Sequence, residues 1–278
     1  MTNKQMANDK LSAELITRDL NTRVLARRVV YYEQIGSTND VARALADAGE
    51  AEDALVIADA QSAGRGRLGR SWVAPARSSL LMSLILRPDL PPHHAPRVTM
   101  AVALGACEAI RAATGLPAQI KWPNDLQIRG KKFAGILAES GIVGEKLEYV
   151  IVGIGVNVNF DPAAIAGIPP DATSIAIELG KPLPRAPLAQ AILRDIEAQY
   201  VRLRAGENLR DEYKNRLATL GQTVHAQTAQ GVVTGRAVDV NEDGALIVQR
   251  ADGSLVQLQA GDVTLSRSLG NLEVRYEQ

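Results

Sequence analysis

The segment from Arg97 to Thr114 constrains the fold more than any other. It has a helical pattern and is apolar nearly all round, which requires burial, and Gly115 stops it. Strands are expected on both sides of it. Val29 to Tyr32, Ala54 to Ala60 and Ser78 to Leu86 read as three, and Asp40 to Ala48 as a helix with Ser37-Thr38-Asn39 at its N-terminus. Gln119 to Trp122, Leu126 to Ile128, Phe133 to Glu139 and Leu147 to Val156 alternate with turns, as in a hairpin-rich sheet. Leu188 to Leu203 and Leu209 to Leu220 read as helices, and Leu11 to Leu20 as a short one. From Gly221 the pattern changes to short strands separated by hairpin signals at Asn241-Glu242-Asp243-Gly244 and Ala251-Asp252-Gly253. The expected organisation is a short N-terminal segment (1–28), an α/β (α+β) domain with a mixed sheet (29–220) and a small all-β barrel (221–278).

Lysine and arginine total 31 and aspartate and glutamate total 31, so the net charge is zero and the field of a non-specific nucleic-acid binder is missing. The apolar fraction is 46% against 4% aromatic, so Ala, Val, Leu and Ile must build the core. A single cysteine, Cys107, excludes an intramolecular disulfide and fits a reducing compartment. The first 21 residues have no apolar targeting core, and no run is long enough for a bilayer. A soluble, cytoplasmic protein is expected.

Three segments carry chemistry. Gly64-Arg65-Gly66-Arg67-Leu68-Gly69 satisfies GxGxxG, but Ser71-Trp72-Val73-Ala74-Pro75 follows rather than the helix a dinucleotide fingerprint needs. Arg65, Arg67 and Arg70 between glycines suit phosphate or carboxylate oxygens, and Trp72 could stack on a purine. A solvated basic loop is the plain alternative. Lys121-Trp122-Pro123-Asn124-Asp125 lies at a strand end, with Lys132 opening the next strand as a movable point charge; Asn124-Asp125 alone is an ordinary turn. Gly153-Ile154-Gly155-Val156-Asn157 alone is a glycine-weakened strand.

In order, Ser37-Thr38-Asn39, Gln61 to Arg67 with Arg70 and Trp72, Lys121 to Asp125, Lys132-Phe133-Ala134-Gly135 and Gly153 to Asn157 resemble the biotin–protein ligase family from about Val29 onward. The resemblance implies a catalytic domain of the biotin/lipoate ligase type with a C-terminal SH3-like barrel. It implies that Ser37, Thr38, Asn39, Gln61, Arg65, Gly66, Arg67, Lys132 and Gly135 border biotin. Arg67, Arg70, Trp72, Asn124, Lys132 and Asn157 would surround ATP and the adenylate, with 160–170 ordering over the nucleotide. Lys132, Arg67 and Asp125 would carry catalysis. The cofactors implied are ATP and Mg²⁺, with no metal held by a protein site, and the partner is a biotin carboxyl carrier domain of a carboxylase. Bifunctional members carry an N-terminal DNA-binding domain; only residues 1–28 precede the first strand here, too few for three packed helices. A monofunctional ligase, monomer or weak homodimer, binding neither specific DNA nor membrane, is expected.

A lipoate or octanoate ligase or transferase of the same superfamily is the alternative enzyme, and the Gly-Arg-Gly-Arg loop with Trp72 argues against it. A biotin-responsive regulator is the non-enzymatic alternative. His93-His94 reads as a solvated loop, Cys107 as a buried inert thiol, and His225 shows no visible partner.

Overall fold

The computed structural model describes residues 9–228, 231–259 and 262–265. Helices α1 (Ala13–Thr17), α2 (Thr38–Asp47), α3 (Pro96–Thr114), α4 (Ile175–Leu179), α5 (Arg185–Arg204) and α6 (Arg210–Arg216) accompany two sheets. Strands β1 (Arg28–Tyr32), β2 (Ala54–Ala58), β3 (Ser79–Leu86), β4 (Ala118–Lys121), β5 (Asp125–Ile128), β6 (Lys131–Val143) and β7 (Lys146–Asn157) form the first, in the order β1-β2-β3-β7-β6-β5-β4. Only β1 and β2 run parallel, joined by α2; the rest is antiparallel, so the sheet is mixed as expected. Strands β8 (Thr223–Thr228), β9 (Gly231–Val240), β10 (Leu246–Gln249), β11 (Leu255–Leu258) and β12 (Asp262–Leu265) form an antiparallel second sheet, ordered β11-β10-β9-β8-β12.

Alternation on the strands decides which helix covers which face. Leu55 and Ile57 of β2 join the main core with α3 and α5, whereas Val56 packs with Ile85 and Ile151 against Ala42 and Ala46 of α2. Helix α3 is buried from Val98 to Ile110 almost without interruption, and Gly115 ends it in the left-handed region at φ 71°. Gly105 lets α3 cross α5 at close range: a Cβ there would stand 2.6 Å from the Ile196 Cα. Among the described residues no helix is long and apolar enough to cross a membrane.

Two helices are shorter than their sequence patterns. The first stops at Thr17 because the chain turns through Asp19 and Asn21, both at positive φ. Residues 9–25 nonetheless belong to the large core: Leu11, Ile16, Leu20 and Leu25 are buried in it, and the Glu197 carboxylate accepts the amides of Arg23, Val24 and Leu25 at 2.7 Å each. The other, α6, ends at Arg216 because the following residues pair with β4 instead. Leu217 bridges Ile120, the Ala218 amide donates to the Ile120 carbonyl, and the Thr219 hydroxyl accepts the Trp122 amide at 2.9 Å.

The hairpin turn between β9 and β10 docks beside the end of β4 and the start of α3. The Gly244 carbonyl accepts the Trp122 indole N–H at 2.7 Å, and Asp243 pairs with Arg97 at 2.7 Å and His94 at 2.6 Å. His94 is therefore a structural contact rather than part of a solvated loop, and its partner lies 149 residues away. His225 also has a partner, Thr234 Oγ1 at 2.9 Å on the neighbouring strand. Cys107 is buried, and burial, helped by Glu108, pushes its thiol up to about 12, so it is inert as expected.

Candidate functional site

The two glycines of Gly153-Ile154-Gly155 have a packing reason that their strand alone does not reveal. A Cβ on Gly153 would stand 2.1 Å from Asn39 Oδ1, and one on Gly155 would stand 2.5 Å from Trp72 Cε2. Gly135, register partner of Gly155, would place a Cβ 3.0 Å from Trp72 Cζ3. The indole thus lies against bare backbone of β6 and β7, with Asn39 beside it one pleat away. Gly155→Ala is expected to lift the indole, at the roughly 1–3 kcal/mol typical of overpacking. Trp72 and Trp122 are the only tryptophans, so in a Trp122→Phe background the emission should move to the red. An unchanged spectrum would contradict this packing.

A cleft of about 410 Å³ opens above this floor. At one end stands a neutral polar cluster on the N-terminus of α2. Gln61 Oε1 accepts the Thr38 amide at 2.6 Å and its hydroxyl at 3.0 Å, while Ser83 Oγ lies 2.8 Å from Thr38 Oγ1 and 2.6 Å from Asn39 Oδ1. Asn39 Nδ2 donates to the Leu137 carbonyl and, at 2.8 Å, to Glu139. Glu139 also receives Arg43 and both arms of Arg65, at 3.1 and 2.8 Å. Burial pushes its carboxyl up, but the Asn39 hydrogen bond with Arg65 and Arg43 outweighs this and holds it below the usual range.

The other end is cationic. Lys132 Nζ lies 2.7 Å from Asp125 Oδ1 and 5.7 Å from the Trp72 ring centroid. Arg67 donates to Asn124 Oδ1 at 3.0 Å, and Asn124 Nδ2 to the Ile136 carbonyl at 2.7 Å. Four cationic side chains (Arg67, Arg70, Lys121, Lys132) line the cleft beside two carboxylates, Asp125 and Asp171, while the fifth, Arg65, is paired with Glu139 and Asp40. In a chain of zero net charge this is a local field made for an anion. Two buried polar atoms of cleft-lining residues, Trp72 Nε1 and Asn157 Oδ1, find no hydrogen-bond partner among the described residues. Leaving such groups unsatisfied is costly and marks a place where a ligand can supply the partner.

The glycine–arginine loop folds back on itself. Arg65 bridges Ser71, the Trp72 amide donates to the Gly64 carbonyl at 2.9 Å, and only the short 3₁₀ turn Arg67–Gly69 interrupts it, with Leu68 at φ 55°. No α-helix opens there, which removes the dinucleotide-fingerprint geometry. Gly167, Ile168 and Pro169 of the segment expected to cover a nucleotide line the cleft, and just beyond that segment the Asp171 carbonyl accepts the Lys132 amide at 2.9 Å.

The comparisons with known proteins bear on what such a cleft serves. Residues 31–157 match the model of the Biotin/lipoate A/B protein ligase family, and residues 219–266 that of the Biotin protein ligase C terminal domain. The bifunctional ligase/repressor BirA of Bacillus subtilis is 34% identical over 92% of this chain and 79% of its own length. The biotin–[acetyl-CoA-carboxylase] ligase of Mycobacterium tuberculosis is 33% identical over 92% of this chain and 97% of its own. The chain belongs to the biotin–protein ligase family. A biotin protein ligase from Aquifex aeolicus, solved with biotin and ATP, superposes with a TM-score of 0.71 at 25% identity, covering 87% of this chain and all of that one. The family fold expected from the motifs, a mixed-sheet catalytic domain followed by a small β domain, is the one observed.

All the residues that the family pattern singles out line the same cleft: Ser37, Thr38, Asn39, Gln61, Arg65, Gly66, Arg67, Arg70, Trp72, Asn124, Asp125, Lys132, Gly135 and Asn157. Their present partners differ in kind. The Asn124 amide and the Arg65 fork are held by neutral and acidic groups at the cleft wall, whereas Lys132 pairs with Asp125 and stands over the floor. Sequence reasoning missed Lys121 as a cleft cation, Ser83 under Thr38 and Asn39, and Glu139 with Arg43. Period-two alternation from Gly135 puts Leu137 and Glu139 on the cleft face and could have found Glu139.

Proposed function

We propose that this protein activates biotin with ATP as biotinyl-5′-AMP and transfers the biotinyl group to one lysine of a biotin carboxyl carrier domain. The observation that carries the proposal is the sequence of groups along β7: Asn39 over Gly153, Trp72 over Gly155, then Asn157 beside the cationic loops. A neutral ureido ring, which both donates and accepts hydrogen bonds, suits the Thr38, Asn39 and Gln61 end. A carboxylate and a triphosphate suit Arg67, Arg70, Lys121 and Lys132.

In the first step a biotin carboxylate oxygen bonds to the α-phosphorus while the bond to the β-phosphate oxygen breaks, and pyrophosphate leaves with the electron pair. Lys132 and Arg67 offset the repulsion between the two anions and stabilise the charge that develops. In the second, a neutral lysine amine bonds to the acyl carbon, the acyl–oxygen bond breaks and AMP leaves. Asp125, near Lys132, is placed to receive or orient the amine proton. Mg²⁺ would come with the ATP phosphates: among the described residues no three His, Cys, Asp or Glu side chains form a cluster that could hold it. The lipoyl group has no ureido ring for the polar end, which separates the two ligase readings.

The deciding experiment is mass spectrometry of a carrier domain incubated with the protein, ATP, Mg²⁺ and either biotin or lipoate. A gain of one biotinyl mass is expected, and lipoylation instead would overturn the reading. The 278-residue protein, with zero net charge and with 9–25 packed on α5, is expected not to bind operator DNA. Nanomolar, sequence-dependent binding at physiological salt would contradict this.

A further inference from the structure

Glu139 shares a face of β6 with Gly135 and Leu137, which line the cleft, and its carboxylate meets Asn39 and Arg65 of the cleft wall. The glycine–arginine loop reaches it across the first turn of α2. Both arms of the Arg65 guanidinium meet the Glu139 carboxylate, at 3.1 and 2.8 Å, and Asp40 on that turn holds the same guanidinium at 2.7 Å. Asn39, also on that turn, and Arg43, one turn further on, reach Glu139 as well. Two-point contact fixes direction as well as distance, so the loop cannot swing while the pair holds. Beyond Arg65 the backbone bonds of the loop, Gly66 to Arg70, Arg70 to Arg67 and Trp72 to Gly64, lie within itself, and the Arg67 side chain reaches out of it to Asn124 at 3.0 Å. Its tip residue, Leu68, is 72% exposed.

We propose that Glu139 is the latch of this loop, a positioning residue that holds Arg65 and thereby keeps Arg67 and Trp72 over the cleft. The latch is a property of the ligand-free protein, and its consequence, retention of the acyl-adenylate, rests on the function proposed above. Opening the Arg65–Glu139 pair frees the loop to admit biotin or to release what has been made. Closing it returns Arg67 to Asn124 and the indole to its glycine floor.

The test begins with hydrogen exchange of the ligand-free protein, comparing wild type with Glu139→Gln. The amide side chain keeps an acceptor for Asn39 but loses the charge that draws Arg65. Residues 62–72 should exchange about tenfold faster, about 1.4 kcal/mol of lost protection, with β3 and β7 unchanged. Arg65→Gln, which also gives up Asp40, should accelerate exchange at least as much, and the double variant no more than Arg65→Gln alone. An unchanged loop, a rise spread evenly over the fold, or additive effects would each overturn the latch. The second measurement is release of preformed biotinyl-adenylate, expected to be about tenfold faster in Glu139→Gln, while its rate of formation at saturating biotin changes far less. Equal release would overturn the retention claim. If the wild type forms no adenylate at all, the proposed function fails, and loop exchange still decides the latch.

Discussion

Lys132→Ala is expected to slow formation of biotinyl-adenylate on the order of a hundredfold or more, by analogy with the loss of one donor to a developing oxyanion. The ammonium stands near the Trp72 ring and beside the bare backbone of Gly135, where biotin's carboxylate and the α-phosphate would meet. Its removal has a second consequence. Asp125, now 2.7 Å from Nζ, would keep a carboxylate facing two incoming anions without its cation. The two effects can be separated. Lys132→Ala with Asp125→Asn removes the repulsion but not the missing donor, so it should recover only part of the lost rate. Lys132→Arg keeps the charge in a planar fork and should fall between wild type and Ala. Single-turnover formation of the adenylate measures all three, with thermal unfolding as a check on the fold. A Lys132→Ala rate near wild type would remove this residue from the mechanism.

What the sequence made legible were features decided by near neighbours. An apolar surface all round 97–114 dictated a buried helix, Gly115 ended it, and the turns at Asn241–Gly244 and Ala251–Gly253 joined the strands they were expected to join. The candidate site was legible as a set of segments, because each motif sits at a strand end or helix start that folding brings to one side of one sheet. What stayed hidden depends on partners far along the chain. Leu217 to Thr219 have an apolar pattern that fits a helix, yet the free edge of β4 claims them. Asp243 looked like a plain turn residue until His94 and Arg97 were beside it. Gly153 and Gly155 looked like weak points in a strand, since nothing near them in sequence announces Asn39 or Trp72. Glu139 is the sharpest case. One carboxylate unites three groups that lie 74 to 100 residues away, and only the closed sheet puts them within reach.

Arg67→Gly should produce a ligase that leaks its intermediate. A mixed anhydride that escapes into water is hydrolysed or acylates whatever amine it meets, so the cleft must hold it until the carrier lysine arrives. Arg67 lines that cleft and also the smaller cavity of about 150 Å³ behind Trp122, Pro123, Asn124 and Ile136. Burial lowers its guanidinium pKa, Asp125 works against this and Arg70 adds to it. An arginine nonetheless stays charged at any working pH, so a cation kept in so enclosed a place gains from an anionic neighbour. Its bond to Asn124 shows which way the fork reaches, toward the corner that carries Asp125. Glycine at this position removes the fork with its bond to Asn124 and adds a fourth glycine to Gly64, Gly66 and Gly69. Losing one charged hydrogen bond costs roughly 1.5–3 kcal/mol, or roughly ten- to hundredfold faster escape of the adenylate. The variant is therefore expected to biotinylate bystander lysines that wild type leaves alone, even if it makes adenylate more slowly. Incubation with serum albumin, ATP and biotin, followed by a biotin blot, measures the leak. Glu139→Gln should leak in the same assay while keeping Arg67, which separates a loop that opens too often from a loop that has lost its grip. If Arg67→Gly forms adenylate and labels albumin no more than wild type does, retention belongs to another residue.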